Sequence, residues 1–409
     1  MRNALTINER IYQWPARPTV VICVDGCEFD YITQAVAAGV APFLQELLQQ
    51  GACFRANSAL PSYTNPNNVS IITGVPPAVH GYSGNFFHDP ATGEEVMMNT
   101  PKYLRCDTIL AAFSRAGAKV VAITAKDKLR TILGHDLRGG ICFSSEKADQ
   151  ATLAENGVED VLRLVGLPLP EVYSAELSEF VFAAGVKLLK LHRPELMYLS
   201  TTDYVQHKWA PGTDAANRFY QMIDRYVAQL DALGAVVVVT ADHGMNAKTR
   251  PDGNPNVIYL QEQLDGWYGK DRVHVILPIV DPYVVHHGSL GSYAVAYVGK
   301  GIDCAEVIER LAKLPEMEIV LERDEACRRF ELPRDRLGDI VMFSRRHSVL
   351  ATSKERHDLS VLDVPLRSHG GITEQEIPLL LNKKVFGVPR QPKPRNFDAF
   401  YIALNHIAH

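Results

Sequence analysis

The chain has 409 residues, 46% of them hydrophobic and 22% charged. At roughly 150 residues per domain, that length suits two or three units, or one large α/β domain carrying an insertion, and the composition excludes intrinsic disorder. Lys and Arg number 42 against 47 Asp and Glu, a net charge of −5, which excludes a broad basic field for nucleic acid or anionic membrane.

The opening segment, MRNALTINERIYQWPARP, is polar and carries Glu9 ahead of any apolar run, so a secretory leader is not expected. No stretch reaches the roughly 18 apolar residues of a membrane span, and a soluble cytoplasmic protein is expected. Thr19–Val24 is the first strong strand: short, β-branched and apolar on both faces, as in a buried parallel sheet. It runs into Asp25-Gly26. Helices are predicted over Tyr31–Ala38 and over Pro42–Gln50, the second closed by Gly51. Between Leu60 and Gly74, Pro66 suits the first turn of a helix continuing from Asn67 to Thr73, which puts Thr64 at or just before a helix N-terminus. Further buried strands are predicted at Lys119–Thr124, Glu195–Thr201, Ala235–Thr240 and Ile377–Leu381. Strands alternating with helical stretches predict an α/β fold, a mostly parallel sheet with helices on both faces.

Between residues 270 and 350 the pattern changes. Strand-like runs at Val273–Ile279, Tyr293–Val298, Glu318–Leu321 and Gly338–Ser344 surround one helical run, Ala305–Leu314. A smaller α+β cap over 270–350 is therefore expected, inserted into a core made of 1–269 and 351–409. Gly387–Arg395 is Pro-rich and basic and reads as a surface loop. The seven cysteines, at 23, 27, 53, 106, 142, 304 and 327, are odd in number and form no C-x-x-C pair. They read as packing thiols in a reducing compartment.

In open parallel sheets, ligands bind beyond the carboxyl ends of the strands. Val24 leads there to Asp25, Thr124 to Lys126 and Lys128, Thr201 to Asp203, and Thr240 to Asp242-His243. Asp203 and His207 are four apart, so a helix start puts both on one face, where they can grip one ion. Asp242 and His243 converge only if the chain is already turning, which Gly244 permits. A polar pair at the end of a buried strand needs partners, and a metal supplies them. His369-Gly370-Gly371, taken alone, reads as a simple turn, and His286-His287 as a weak ligand pair or a substrate-wall contact in the cap. As an ordered set, Asp25, Thr64, Asp203, His207, Asp242, His243 and His369 supply three carboxylates, three imidazoles and one hydroxyl. Oxygen and nitrogen ligands without thiols suit Zn²⁺, with Mn²⁺ or Fe less well suited. Seven groups exceed the needs of one tetrahedral ion and fit two.

The pieces V-D-G (24–26), P-S-Y-T-N-P-N (61–67), G-Y-S-G-N (81–85), T-T-D-Y-V-Q-H (201–207), T-A-D-H-G-M (240–245) and S-H-G-G (368–371) stand in one order along the chain. In that order the sequence resembles the alkaline phosphatase superfamily, in its nucleotide pyrophosphatase/phosphodiesterase-like branch. The resemblance implies an alkaline-phosphatase-like core with two zinc ions per chain. It implies Asp203, His207 and His369 on one ion, and Asp25, Asp242, His243 and the Thr64 oxygen on the other. It further implies Thr64 as nucleophile, with Ser62 as the nearby alternative, and Asn85 as a contact to a phosphoryl oxygen.

Within the branch, Y-T-N-P-N-N, the A-K-D-K run (125–128) and the inserted cap resemble the members that cleave the C–P bond of phosphonoacetate. That implies a small anionic substrate, a phosphothreonine intermediate, and Lys126 and Lys128 as a clamp on the carboxylate, with Asp127 facing outward or pairing with one of them. Without the resemblance, the two lysines read as a solvated loop and Asn85 as a loop-capping amide. The alternative is a phosphodiesterase or nucleotide pyrophosphatase, with Phe86 and Phe87 walling a nucleoside or alkyl pocket. Tyr204, Trp209 and His286-His287 are further wall candidates. A metal-stabilised binding protein is a second rival, against which the two ligand sets and the placed Thr64 argue. No nucleic-acid or membrane partner is expected, and a homodimer is compatible with the resemblance.

Overall fold

The computed structural model describes residues 4–89, 92–279 and 290–407. The β-branched runs form one seven-stranded sheet of β1 (Thr19–Cys23), β2 (Ala52–Asn57), β3 (Val120–Thr124), β4 (Ile141–Ser144), β5 (Leu196–Ser200), β6 (Val236–Thr240) and β7 (Glu376–Leu381). The strands lie in the order β2-β7-β6-β1-β5-β3-β4. Every residue of β1, β3, β5 and β6 is buried, so both faces are covered, by helices such as Glu176–His192, Asp214–Ala232 and Ala399–Asn405. Unbroken apolar strands have no other stable place in water.

From β6 across to β4 the pairing is parallel throughout. β7 runs against both of its neighbours, β6 and β2. Its start therefore lies at the edge where the other strands end. This places the His369 segment, which precedes β7, beside the residues that follow β1, β5 and β6. β2 and β4 escape the sequence pattern. β2 (ACFRAN) alternates buried with more exposed positions at the sheet edge, and β4 has four residues.

The helix carrying the P-S-Y-T-N-P-N motif starts at Thr64, behind an extended Tyr63, and ends at Thr73 before Gly74 in the left-handed region. Pro66 falls in its first turn, where the missing N–H costs nothing. The Pro42–Gln50 helix matches its expected bounds, and the one before it runs Phe29–Ala37.

The cap is a four-stranded antiparallel sheet in the order Val273–Ile276, Tyr293–Val298, Ile340–Ser344, Met317–Glu322, with helices Cys304–Ala312 and Arg323–Phe330. Its apolar cluster also takes in Ile258, Leu260, Leu264 and Leu350. The packed unit thus reaches upstream of residue 270, because Val257–Tyr259 pairs with Val349–Ala351. Leu60 and Tyr63 belong to the same cluster, so the cap rests on the segment that delivers Thr64. All seven cysteines are free thiols. Among the described residues, no helix is long and apolar enough to cross a membrane.

Candidate metal centre and active site

The ends of β1, β5 and β6 deliver Asp25, Asp203 and Asp242-His243 to one edge of the sheet. The turn after β1 requires Gly26, whose φ is +71° and whose missing Cβ would stand 3.1 Å from the side chains of Asp203 and Gln206. The Gly26 N–H donates to Asp242 Oδ1 at 3.2 Å, and the Asp25 N–H donates to Thr201 Oγ1 at 2.9 Å. One helical turn, Tyr204–Lys208, carries His207 back over Asp203. Gly370, at φ +110°, lets the run-in to β7 cross the Tyr63 ring, which a Cβ would strike.

Two groups of ligand atoms result, Asp203–His207–His369 and Asp25–Asp242–His243, each with its atoms within 4.8 Å of one another. His207 Nε2 lies 2.8 Å and His369 Nε2 3.7 Å from Asp203 Oδ2. His243 Nε2 lies 3.2 Å from Asp25 Oδ1, 3.7 Å from Asp242 Oδ2 and 3.5 Å from Thr64 Oγ1. The His243 and His369 rings stack with centroids 3.6 Å apart.

The far side of each imidazole meets a backbone carbonyl. His207 Nδ1 faces Arg367 O at 2.8 Å, His243 Nδ1 faces Gly244 O at 2.9 Å, and His369 Nδ1 faces Ser62 O at 2.7 Å. A carbonyl only accepts, so each Nδ1 carries a proton, and in the neutral ring Nε2 turns a lone pair toward the carboxylates. Lone pairs aimed at carboxylates repel unless a proton or a metal ion lies between them. Asp25 Oδ1 is buried with no hydrogen-bond donor. The cluster is incomplete as a hydrogen-bonded core and complete as an oxygen–nitrogen ligand set, so these residues fit bound metal.

The titration behaviour carries the same message. Burial, with the charges of Asp203 and Asp242, pushes the Asp25 carboxyl well above the usual carboxylate range. Asp242 is also raised, chiefly by burial. Burial opposes ionisation of Asp203, but His207, His369 and His243 hold it well below the usual range. Burial likewise opposes the charge on His243, yet Asp242, Asp25 and Asp203 lift it to about 10, while burial and two neighbouring imidazoles depress His369. Three carboxylates cannot all ionise in so small a buried space without added positive charge.

Beside the cluster lies a cavity of about 90 Å³, lined by Asp25, Thr64, Asn85, Asp203 and His369 and by Lys126 and Lys128. Lys126 caps the helix Asp127–Leu133, and its Nζ sits 5.0 Å from the centre of the Tyr173 ring. Burial lowers the Lys126 ammonium, and burial with the Lys126 charge lowers Lys128 to about 8. Asp127 pairs with neither lysine. Its carboxylate accepts from Arg130 Nε at 2.7 Å and Ser144 Oγ at 2.8 Å, with Lys147 Nζ at 3.4 Å. Asp127 is drawn back from the cavity, which both lysines line. Asn85 Oδ1 accepts the Asn65 N–H at 3.0 Å, which leaves its Nδ2 donors for a ligand. The Asn85 N–H donates to Pro278 O at 2.8 Å, tying the site to the cap.

Ser62 is fully buried, and its hydroxyl donates to Gly371 O at 3.0 Å. It orients His369 and does not line the cavity, whereas Thr64 does. Phe87 is buried against Tyr103, Phe86 packs against the cap cluster, and Tyr204 and Trp209 pack edge to face. None of these four lines the cavity. His286-His287 lies outside the described residues.

Sequence reasoning passed over the groups that hold the ligands in place. The buried Lys248–Glu374 pair, at 2.9 Å, links the loop after His243 to the loop after His369. Glu374 also accepts from Asn246 Nδ2 at 2.6 Å and from the Gly371 N–H at 2.9 Å. Lys248 and Glu374 stand too far apart in the chain for local spacing to reveal them. Asn68, one turn after Thr64, did carry a signal: it shares that residue's helix face.

The profile of the Type I phosphodiesterase / nucleotide pyrophosphatase family matches residues 19–372. The chain is 57% identical to phosphonoacetate hydrolase from Sinorhizobium meliloti 1021, whose structures hold phosphonoacetate or phosphonoformate. The match covers 100% of both chains with a TM-score of 0.96. It is 52% identical over 42 residues to phosphonoacetate hydrolase of Penicillium oxalicum, 10% of this chain. Among curated relatives, the aligned stretches span 16% and 58% of the relatives' own lengths. Murine ectonucleotide pyrophosphatase / phosphodiesterase 5, 18% identical with a TM-score of 0.64 over 96% of each chain, shares the fold.

Proposed function

The chain belongs to the Type I phosphodiesterase / nucleotide pyrophosphatase family, and we propose that it hydrolyses the carbon–phosphorus bond of phosphonoacetate to acetate and phosphate. The observation that carries this reading is the sharing of one small cavity by Thr64 and two lysines, Lys126 and Lys128. Full-length similarity to a phosphonoacetate hydrolase, at 57% identity, supports it. The cavity, about 90 Å³, is well below the roughly 300–1,000 Å³ of pockets for drug-sized ligands, and this favours a small dianion over a nucleoside.

Asp203, His207 and His369 would hold one ion, and Asp25, Asp242 and His243 with the Thr64 oxygen would hold a second. Bound there, two zinc ions would supply positive charge against the phosphonate and would favour ionisation of the Thr64 hydroxyl. Thr64 opens a ten-residue helix, whose N-terminal partial charge adds to that effect. Its Oγ1 attacks phosphorus in line with the P–C bond. A P–O bond forms, and the P–C electron pair passes to the methylene carbon. A plain alkyl carbanion leaves very poorly, but here the charge delocalises into the adjacent carboxylate as an enolate. Lys126 and Lys128 hold that carboxylate and stabilise the charge as it develops. Asn85 Nδ2 donates to a phosphoryl oxygen. The carbon takes a proton from solvent, giving acetate, and water hydrolyses the phosphothreonine, giving phosphate and restoring the hydroxyl. The seven free thiols fit a reducing, cytoplasmic setting.

The test compares zinc-loaded protein on phosphonoacetate, a bis-aryl phosphodiester and a phosphate monoester. Equimolar phosphate and acetate from phosphonoacetate, at the highest kcat/KM of the three, is the expected result. Diester turnover without phosphonoacetate turnover overturns the assignment.

A further inference from the structure

Asn68 is fully buried one helical turn after Thr64, and its side chain joins three elements of the site. Its Nδ2 donates to the Thr64 carbonyl at 2.9 Å and to Asp242 Oδ2 at 3.3 Å. Its Oδ1 accepts from the hydroxyls of Tyr198 at 2.7 Å and Ser200 at 2.8 Å, both on β5. The amide has only one workable orientation. The carbonyl and the carboxylate can only accept, so the nitrogen must face them, while hydroxyls can donate to the oxygen.

We propose that Asn68 is a positioning residue that locks the helix of the attacking Thr64 to the metal-site carboxylate of Asp242. This rests on the reading of Thr64 and Asp242 given above. Asp242 Oδ1 already accepts from the backbone N–H groups of Gly26 at 3.2 Å and His243 at 3.0 Å. Those bonds orient one oxygen, and Asn68 orients the other. The same NH₂ group holds the first turn of the helix, so the distance between nucleophile and ligand is set by one rigid amide. A neutral donor suits this place, because a cation there would compete with the metal. The β5 hydroxyls keep the amide from rotating away.

The test uses full-length Asn68→Asp and Asn68→Ala proteins. Asn68→Asp keeps the size and the two hydroxyl contacts but turns an acceptor toward two acceptors. Zinc affinities are read by competition with a chelator, beside kcat, KM and melting temperature. Removing an outer partner of a metal ligand typically costs about 10–100-fold in affinity or activity. We expect a loss of that size for one zinc ion only, the other being retained. We also expect a parallel fall in kcat for phosphonoacetate, with KM within about twofold. A merely structural asparagine would lower the melting temperature and leave both zinc affinities and kcat per folded molecule unchanged; that result overturns the inference. Should neither variant fold, Tyr198→Phe combined with Ser200→Ala frees the amide and carries the same test: selective weakening of one zinc supports the lock, and unchanged affinities overturn it. The wild-type arm separates the two readings. Wild-type protein that binds fewer than two zinc ions overturns the proposed function and this inference with it. Wild-type protein with two ions and phosphonoacetate turnover, beside unaffected variants, overturns this inference alone.

Discussion

The two walls of the cavity are built in different ways. On the ligand wall every imidazole is pinned by a backbone carbonyl, and a fully buried Lys248–Glu374 pair ties two ligand loops together. The lysine wall is one helix start. Lys126 packs under Tyr173, which is 43% exposed, and Asp127 is drawn away by Arg130 and Ser144. The first wall holds each imidazole on a fixed backbone acceptor. The second places charge beside the cavity. Chemistry at phosphorus needs fixed geometry, whereas choice of leaving group needs charge of the right sign in the right place. In this account the ligand wall breaks the bond at phosphorus and the lysine wall decides what departs.

The largest expected effect is on the ligand wall. Thr64→Ala lowers phosphate release by roughly 10⁴-fold or more, since loss of a nucleophile removes the covalent route. Circular dichroism unchanged beside that loss separates chemistry from folding, and residual turnover within tenfold of wild type contradicts the assignment. Next comes the scaffold of the same wall. Glu374→Ala leaves Lys248 buried and unpaired, and we expect a loss of about 3–5 kcal/mol in urea unfolding. Replacing both by Leu and Met restores much of it, because a buried pair is worth little against apolar packing.

Changes on the lysine wall are smaller and differ in kind. Lys126→Ala and Lys128→Ala each remove a charged contact worth about 1.5–3 kcal/mol, so kcat/KM for phosphonoacetate falls by roughly 10–100-fold. Turnover of a phosphate monoester, which has no carboxylate to hold, changes much less. The smallest effect is on the pH profile. Burial and the Lys126 charge bring Lys128 to about 8. Only the ammonium holds the carboxylate, so kcat/KM for phosphonoacetate declines as pH rises through about 8. A bound anion favours the protonated form and moves the same limb in kcat to higher pH. Lys128→Arg removes the limb, because a guanidinium does not titrate there. A profile flat from pH 7 to pH 10 in wild type, a range spanning that value, would falsify this role for Lys128.

Much of this was legible in the chain. Strands β1, β3, β5 and β6 are apolar and β-branched from end to end, and each points at a chemical residue because ligands gather beyond parallel strand ends. His369 was harder to place. It precedes its strand, and only the reversed direction of β7 brings it to the same edge. Spacing leaves Asp127 either facing outward or paired with Lys126 or Lys128, and its carboxylate turns away from both. One partner, Arg130, is local at i+3, whereas Ser144 ends β4 and Lys147 follows it. Phe86 and Phe87, walls only under the phosphodiesterase alternative, are claimed by the cap cluster and Tyr103, which nothing in their local sequence shows. Glu374 and Lys248 were invisible, since a buried ion pair formed across long sequence separation leaves no local pattern.

The most direct test of the division between the two walls is a selectivity ratio. The measurement is kcat/KM for phosphonoacetate divided by kcat/KM for a phosphate monoester, in wild type and in the Lys126→Ala/Lys128→Ala double variant, both loaded with zinc. The account predicts that the ratio collapses by roughly 10²-fold or more in the double variant while monoester turnover stays within about tenfold of wild type. An equal loss on both substrates, with the ratio unchanged, would place the lysines in the chemistry at phosphorus and contradict the account.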